Sequence, residues 1–248
     1  MITRHANEFG KENNIYGQPW HVYARLFVLW GYLMGQTITG LEVQQHDQER
    51  VNIYLDGEFA FGLPIIEAAR LRKGQVLSEE EIIALRQMDE VTRAFDRAVT
   101  LLARRPYSTA EIRRYLEKKG TGAIIIDEAL AKMERLGYLD DRAFATFWVE
   151  SRERFRPRGV RALRYELQQK GIASEIIEEV LAVYDAHDAA YRAAQEQIRR
   201  MRVTSKQEFR NKLGTFLVRR GFGYDTVREV IEEIIQEQPD IFEDTNEE

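Results

Sequence analysis

Three glycines, Gly120, Gly171 and Gly221, stand 51 and 50 residues apart, and each closes the same pattern of apolar and basic residues. Leu116, Leu167 and Leu217 lie four residues before them, and Ile112, Leu163 and Leu213 lie eight before. Lys119, Lys170 and Arg220 immediately precede the glycines. Ile126, Ile177 and Val227 follow by six, Leu130, Leu181 and Ile231 by ten, and Met133, Tyr184 and Ile234 by thirteen. Steps of three and four put these side chains on one face of a helix. Each unit therefore reads as a helix, a glycine stop and a second helix. The glycine takes the left-handed conformation that ends a helix, and Lys or Arg suits the negative end of the helix dipole. A third helix is expected ahead of each pair, over 95–104, 144–155 and 193–201. Pro106 and Pro157 stand fourteen residues before their glycines, where the third unit has Gln207. Ser108 and Glu111 form a capping box that opens the middle helix of the first unit. A fixed period of this length predicts an array of supersecondary units.

The chain ahead of the array has a different period. Ile38, Leu41 and Val43 predict one strand, alternating Val51, Ile53 and Leu55 a second, and Phe59 and Phe61 begin a third. Asp56-Gly57 between the last two fits a type I′ hairpin, whose two central residues both need positive φ. Pro64 ends the strand and starts a short helix over 65–71, which Gly74 breaks. Ser78 and Glu81 make a second capping box. The apolar stripe Ile82, Leu85, Val91, Phe95, Val99 and Leu102 then carries a helix to Arg104, and no strand is expected beyond it.

The expected fold is mainly α: three tandem three-helix repeats with a small β-rich N-terminal cap. Its divisions are an N-terminal extension 1–36, the cap 37–77, repeats 78–141, 142–191 and 192–236, and an acidic tail 237–248. The apolar run 26–34 is too short to span a bilayer, and no small-x-small cleavage pattern follows Met34. Two readings of that region stay open: an extension with Met34 as an alternative start, or an amphipathic segment packed on the body.

Net charge is −5, which by itself argues against nucleic acid, but the charges are segregated. Residues 104–120 carry six basic and two acidic side chains, whereas 121–141 carry two and five. For 142–171 and 172–191 the counts are eight and three, then none and five; for 192–221 and 222–248 they are nine and two, then one and ten. If equivalent helices stack, the basic segments gather into a stripe. The contact candidates are Arg104, Arg105, Arg113, Arg114, Lys118 and Lys119 in the first repeat, and Arg152, Arg154, Arg156, Arg158, Arg161, Arg164 and Lys170 in the second. In the third they are Arg199, Arg200, Arg202, Lys206, Arg210, Lys212, Arg219 and Arg220. The densest group, Arg152–Lys170, is expected to be the central contact surface. Arg suits phosphate or carboxylate because its planar fork donates two parallel hydrogen bonds. The expected partner is a polyanion, an acidic protein groove, or both.

Catalytic patterns are not found. The four histidines, His5, His21, His46 and His187, lack ligand spacing. There is no cysteine, no Walker lysine loop, no dinucleotide glycine pattern and no HExxH. Asp140-Asp141, after Gly137-Tyr138-Leu139, reads as helix N-capping rather than a metal site. Trp148 shares a helix face with Phe144, Phe147 and Ser151 and is expected to pack rather than to stack on a base.

The segment Leu136-Gly137-Tyr138-Leu139-Asp140-Asp141 with Phe144-Ala145 and Ser151-Arg152 resembles the RecX family of RecA regulators. Arg158-Gly159 through Glu166-Leu167, Lys170-Gly171-Ile172 and Arg105-Pro106-Tyr107-Ser108 extend the resemblance over roughly 37–235. The first 33 residues, the acidic end and the missing third proline depart from it. The resemblance implies an elongated, curved helical array without a catalytic centre or cofactor. It implies a cytoplasmic, non-membrane, monomeric protein that binds RecA filaments and single-stranded, or also double-stranded, DNA. It further implies inhibition of RecA ATPase and strand exchange, within DNA repair, recombination and the SOS response. Two alternatives stand beside it: a direct DNA-binding regulator using helix-turn-helix-like pairs, and a helical protein scaffold.

Overall fold

The computed structural model describes residues 35–238. The readings of 1–34, and of nearly all the acidic tail, therefore fall outside the described residues. Residues 35–94 and 95–238 belong to two compact units divided within one helix.

In the first unit, β1 (Gln36–Val43), β2 (Arg50–Leu55), β3 (Glu58–Pro64) and β4 (Val76–Leu77) form an antiparallel sheet in the order β3-β2-β1-β4. Alternation puts Ile38, Val51, Ile53, Leu55, Phe61 and Leu63 in its core. Asp56 and Gly57 have φ of 49° and 91°, the two positive values that a type I′ turn demands. Strand β4 is not expected from the sequence, because two residues carry no legible period; its pairing of Gln36 with Leu77 and Thr37 with Val76 completes the sheet. Helix α1 (Ile65–Ala68) is shorter than the expected 65–71. The chain leaves it through hydrogen-bonded turns from Arg70 to Glu67 and from Leu71 to Ala68.

The capping box at Ser78 forms: Ser78 N–H donates to Glu81 Oε2 at 2.8 Å, and Glu81 N–H to Ser78 Oγ at 3.2 Å. It opens α2 (Glu79–Leu102), a single 24-residue helix whose second half leads into the first repeat.

No strand follows Leu77 among the described residues. The first repeat continues with α3 (Thr109–Lys118) and α4 (Ala123–Arg135), and the second has α5 (Asp141–Phe155), α6 (Val160–Gln169) and α7 (Ser174–Ala182). The third has α8 (Ala186–Ile198), α9 (Lys206–Arg219) and α10 (Tyr224–Glu237). Every apolar position of the repeat register is buried except Tyr184, which is half-buried. The three glycines have φ of 79°, 78° and 89°. Each closes the same double hydrogen-bonded cap, in which the next residue's N–H reaches Leu116, Leu167 or Leu217 O at 3.1, 3.1 and 3.2 Å.

Two boundaries differ from expectation. Helix α8 begins seven residues earlier than the expected 193, at Ala186, because Asp185 caps it by accepting from His187 and Asp188 N–H. Its buried face is Ala189, Ala190, Ala193 and Ala194. A small-residue face lets neighbouring helices approach closely but contributes little to an apolar stripe. Helix α9 is one turn longer than α3 and α6 and runs through Gln207, where the other repeats have proline. Without the ring to restrict the preceding residue, the helix extends back to a cap at Ser205.

Candidate functional site

The repeats meet through one device used twice. The N-terminus of a middle helix sits against the glycine turn of the next repeat. Ser108 Oγ donates to Lys170 O at 2.6 Å, while Ser108 also caps α3 by accepting from Glu111 N–H. One repeat on, Gly159 N–H donates to Arg220 O at 3.0 Å. A Cβ at Gly159 would lie 2.2 Å from the backbone of Gly221 and Phe222, so only glycine fits.

The basic residue before each glycine turn serves this seam. Lys170 Nζ reaches Glu111 Oε1 of the first repeat at 2.6 Å, and Arg220 donates to Pro157 O of the second at 3.3 Å. Burial raises the Glu111 carboxyl, but hydrogen bonds from Arg105, Lys170 and the Ser108 backbone outweigh it and hold the group below its ordinary value. Glu166 is a second hub: Oε2 accepts from Trp148 Nε1 at 2.9 Å and Arg152 Nε at 2.7 Å, with Arg158 Nε 3.7 Å from Oε1. Arg152 and Lys170 lie 4.5 and 4.6 Å from the Trp148 ring centre. Trp148 is half-buried and packs on the second repeat's core. Asp140 caps α5 through Ala143 N–H, while Asp141 accepts from Thr109 N–H across 32 residues of sequence.

Many of the candidate cations therefore have partners inside the fold. Arg105 pairs with Glu111, Arg113 with Asp127, Arg164 bidentately with Glu178 and Arg210 bidentately with Glu232. Arg114 donates to Ala110 and Gln169 carbonyls. Lys119 lies near the Tyr115 ring and Arg154 near Phe155. Arg104, Lys118, Arg161, Arg199 and Lys206 are exposed. The stretch 152–170 is thus largely occupied by the architecture, with Arg152, Arg158, Arg164 and Lys170 all facing acids of the same chain.

What the tertiary structure gathers is a cleft between the second and third repeats. Seven cations line it: Arg156, Arg158, Arg200, Arg202, Lys212, Arg219 and Arg220. Among the described residues its lining holds no acidic side chain; the uncharged members are Gln197, Met201, Asn211, Thr215 and Phe216. Glu196 reaches Arg200 at 3.8 Å, and Glu208 pairs with Lys212 at 2.7 Å. Arg156, Arg202 and Arg219 are exposed and have no acidic partner within 4 Å among the described residues. Burial, reinforced by Arg156 and Arg158 and opposed by Glu196, pulls the Arg220 guanidinium below its ordinary value. Positive charge there is under-compensated, so an anionic ligand would relieve it. The uncharged lining is not among the residues expected from the sequence. Asn211, Thr215 and Arg219 recur at steps of four on α9, a signal that could have found one wall; nothing in the sequence marks Phe216, whose ring lies 4.5 Å from the Arg220 guanidinium carbon.

Known proteins share this order of domains. The regulatory protein RecX N-terminal domain matches residues 36–78, and the first, second and third RecX three-helix domains match 94–133, 140–181 and 184–231. The regulatory protein RecX of Bacillus licheniformis is 34% identical over 208 residues, covering 82% of this chain and 79% of its own length. The chain belongs to the RecX family. RecX of Bacillus subtilis is 30% identical over 216 residues, 85% of this chain and 81% of that protein. A crystal structure of a regulatory protein RecX superposes with a TM-score of 0.67 at 27% identity, covering 80% of this chain and 99% of that one. RecX from Lactobacillus salivarius, at 22% identity and a TM-score of 0.55 over 60% of this chain and 98% of that one, shares the fold. Among the described residues, no helix is long and apolar enough to cross a membrane, and no group of three metal-ligating side chains occurs.

Proposed function

We propose that this chain regulates recombination by binding RecA nucleoprotein filaments and inhibiting their ATPase and strand exchange, with the cationic cleft as the polyanion contact. One observation carries the reading of the site: seven Lys and Arg side chains converge on a cleft with no acid in its lining among the described residues. The partner is single-stranded DNA or an acidic face of the filament. Arg156, Arg202 and Arg219 supply exposed positive charge, and Phe216 an aromatic surface beside it. The repeats 78–141, 142–191 and 192–236 act as successive contacts whose weak affinities combine through effective concentration.

The test follows from the geometry. Reversing Arg158 or Arg164 would also break their approach to Glu166 and Glu178, so a folding effect would mask a binding effect. The informative variant is R156E/R202E/R219E. Titrated into RecA on single-stranded DNA, the parent protein lowers ATP turnover, whereas the folded triple variant leaves it near its starting rate. Undiminished inhibition by that variant would reject the cleft. Tight, sequence-selective duplex binding with no effect on ATPase would favour a direct DNA-binding regulator.

A further inference from the structure

His187 Nε2 lies 3.1 Å from Glu233 Oε2, and Tyr191 Oη donates to Glu237 Oε2 at 2.6 Å. One turn of α8 thus meets the last turn of α10. Helix α10 ends beside Tyr191. Six residues farther along α8, about 9 Å at the helical rise, stands Gln197 in the wall of the cationic cleft. The end of α10 and the wall of the cleft thus both lie against α8, six residues apart.

Residues 239–248 contain Asp240, Glu243, Asp244, Glu247 and Glu248 and no Lys or Arg. Ten residues span up to about 33 Å when extended, well beyond that gap. Their charge complements the cleft, whose Arg156, Arg202 and Arg219 have no acidic partner among the described residues. Ile241 and Phe242 complement the apolar atoms of Met201 and Phe216 on its wall.

We propose that the acidic segment 239–248 docks in the cationic cleft of its own chain and competes with the incoming polyanion. This rests on the reading of the cleft as a polyanion site. A tethered competitor acts at an effective concentration on the order of millimolar, so it screens out weak, non-specific anions and yields to a partner that makes several contacts. The docking is electrostatic between exposed groups and therefore weakens with salt.

Two measurements test it. The first compares the full chain with one ending at Gln238 for binding a short fluorescent oligothymidylate. The shortened chain is expected to bind about five- to tenfold more tightly at low salt, with the gap closing as salt rises. Equal affinities overturn the competition. The second uses the absence of cysteine in the chain: a spin label on E248C is expected to broaden the amide signals of Asn211 and Thr215, and R156E/R202E/R219E to abolish that broadening. Unbroadened signals in the full chain overturn the docking. A shortened chain that binds no oligonucleotide at any salt overturns instead the reading of the cleft, a failure the label experiment distinguishes from failure of the docking.

Discussion

At the residue scale, a charged side chain in this protein is read by what it faces. Lys170 and Glu111 have side chains only 21% and 13% exposed, so their pairing closes a seam rather than decorating a surface. E111Q leaves Lys170 half-buried without its carboxylate and should cost about 2 kcal/mol. Because the folded Glu111 carboxyl is held below its ordinary value, its stabilisation is full above the unfolded value of about 4.3 and is lost as pH falls through the lowered folded value. Urea unfolding followed through the acid range should show a shallower acid loss for E111Q than for the parent. Asp89 makes a harsher case within residues 35–94. Its side chain is 5% exposed, contacts Arg50, itself 13% exposed, and pairs with Arg93 at 2.9 Å. D89N strands Arg50 in the interior and should cost about 3–5 kcal/mol, measurable as early melting of the sheet.

At the scale of elements, the repeat is defined as much by its joints as by its helices. Ser78 and Ser108 both open capping boxes, but Ser78 only caps its helix, whereas Ser108 is fully buried and also donates to Lys170 O. S78A should cost about 1 kcal/mol and S108A about 2 kcal/mol, since the second also removes the buried hydroxyl's bond to Lys170 O. Gly159→Ala would drive a methyl into the Gly221 turn. It should lower the melting temperature by more than either serine change, at a cost of about 3 kcal/mol. The glycine turns and the apolar register were legible in the sequence because a helix repeats its face every three or four residues. The start of α8 and the strand β4 were not, since an alanine face and a two-residue strand leave no period to read.

At the scale of the whole molecule, net charge is a poor guide and charge placement a good one. A protein with a net charge of −5 still carries seven cations around one cleft. Each phosphate contact contributes about 0.7 to the logarithmic salt slope for single strands. R156E/R202E/R219E should therefore flatten that slope by about 2, read from oligonucleotide binding at several salt concentrations. Reversal of Arg113, Arg164 and Arg210, each paired with Asp127, Glu178 or Glu232, should change the slope much less.

The sequence by itself determined the array: apolar spacing, glycine stops and capping boxes are local, and local rules repeat wherever the residues do. It also determined that positive charge gathers in the segments 104–120, 142–171 and 192–221. Only the tertiary structure decided which of those charges are spent within the fold. Arg152, Arg164 and Lys170 meet acids 14, 14 and 59 residues away, while Arg156, Arg202 and Arg219 meet around the cleft without one among the described residues. Pairing depends on distances across packed helices, and a helix face written in sequence does not say which face it will meet.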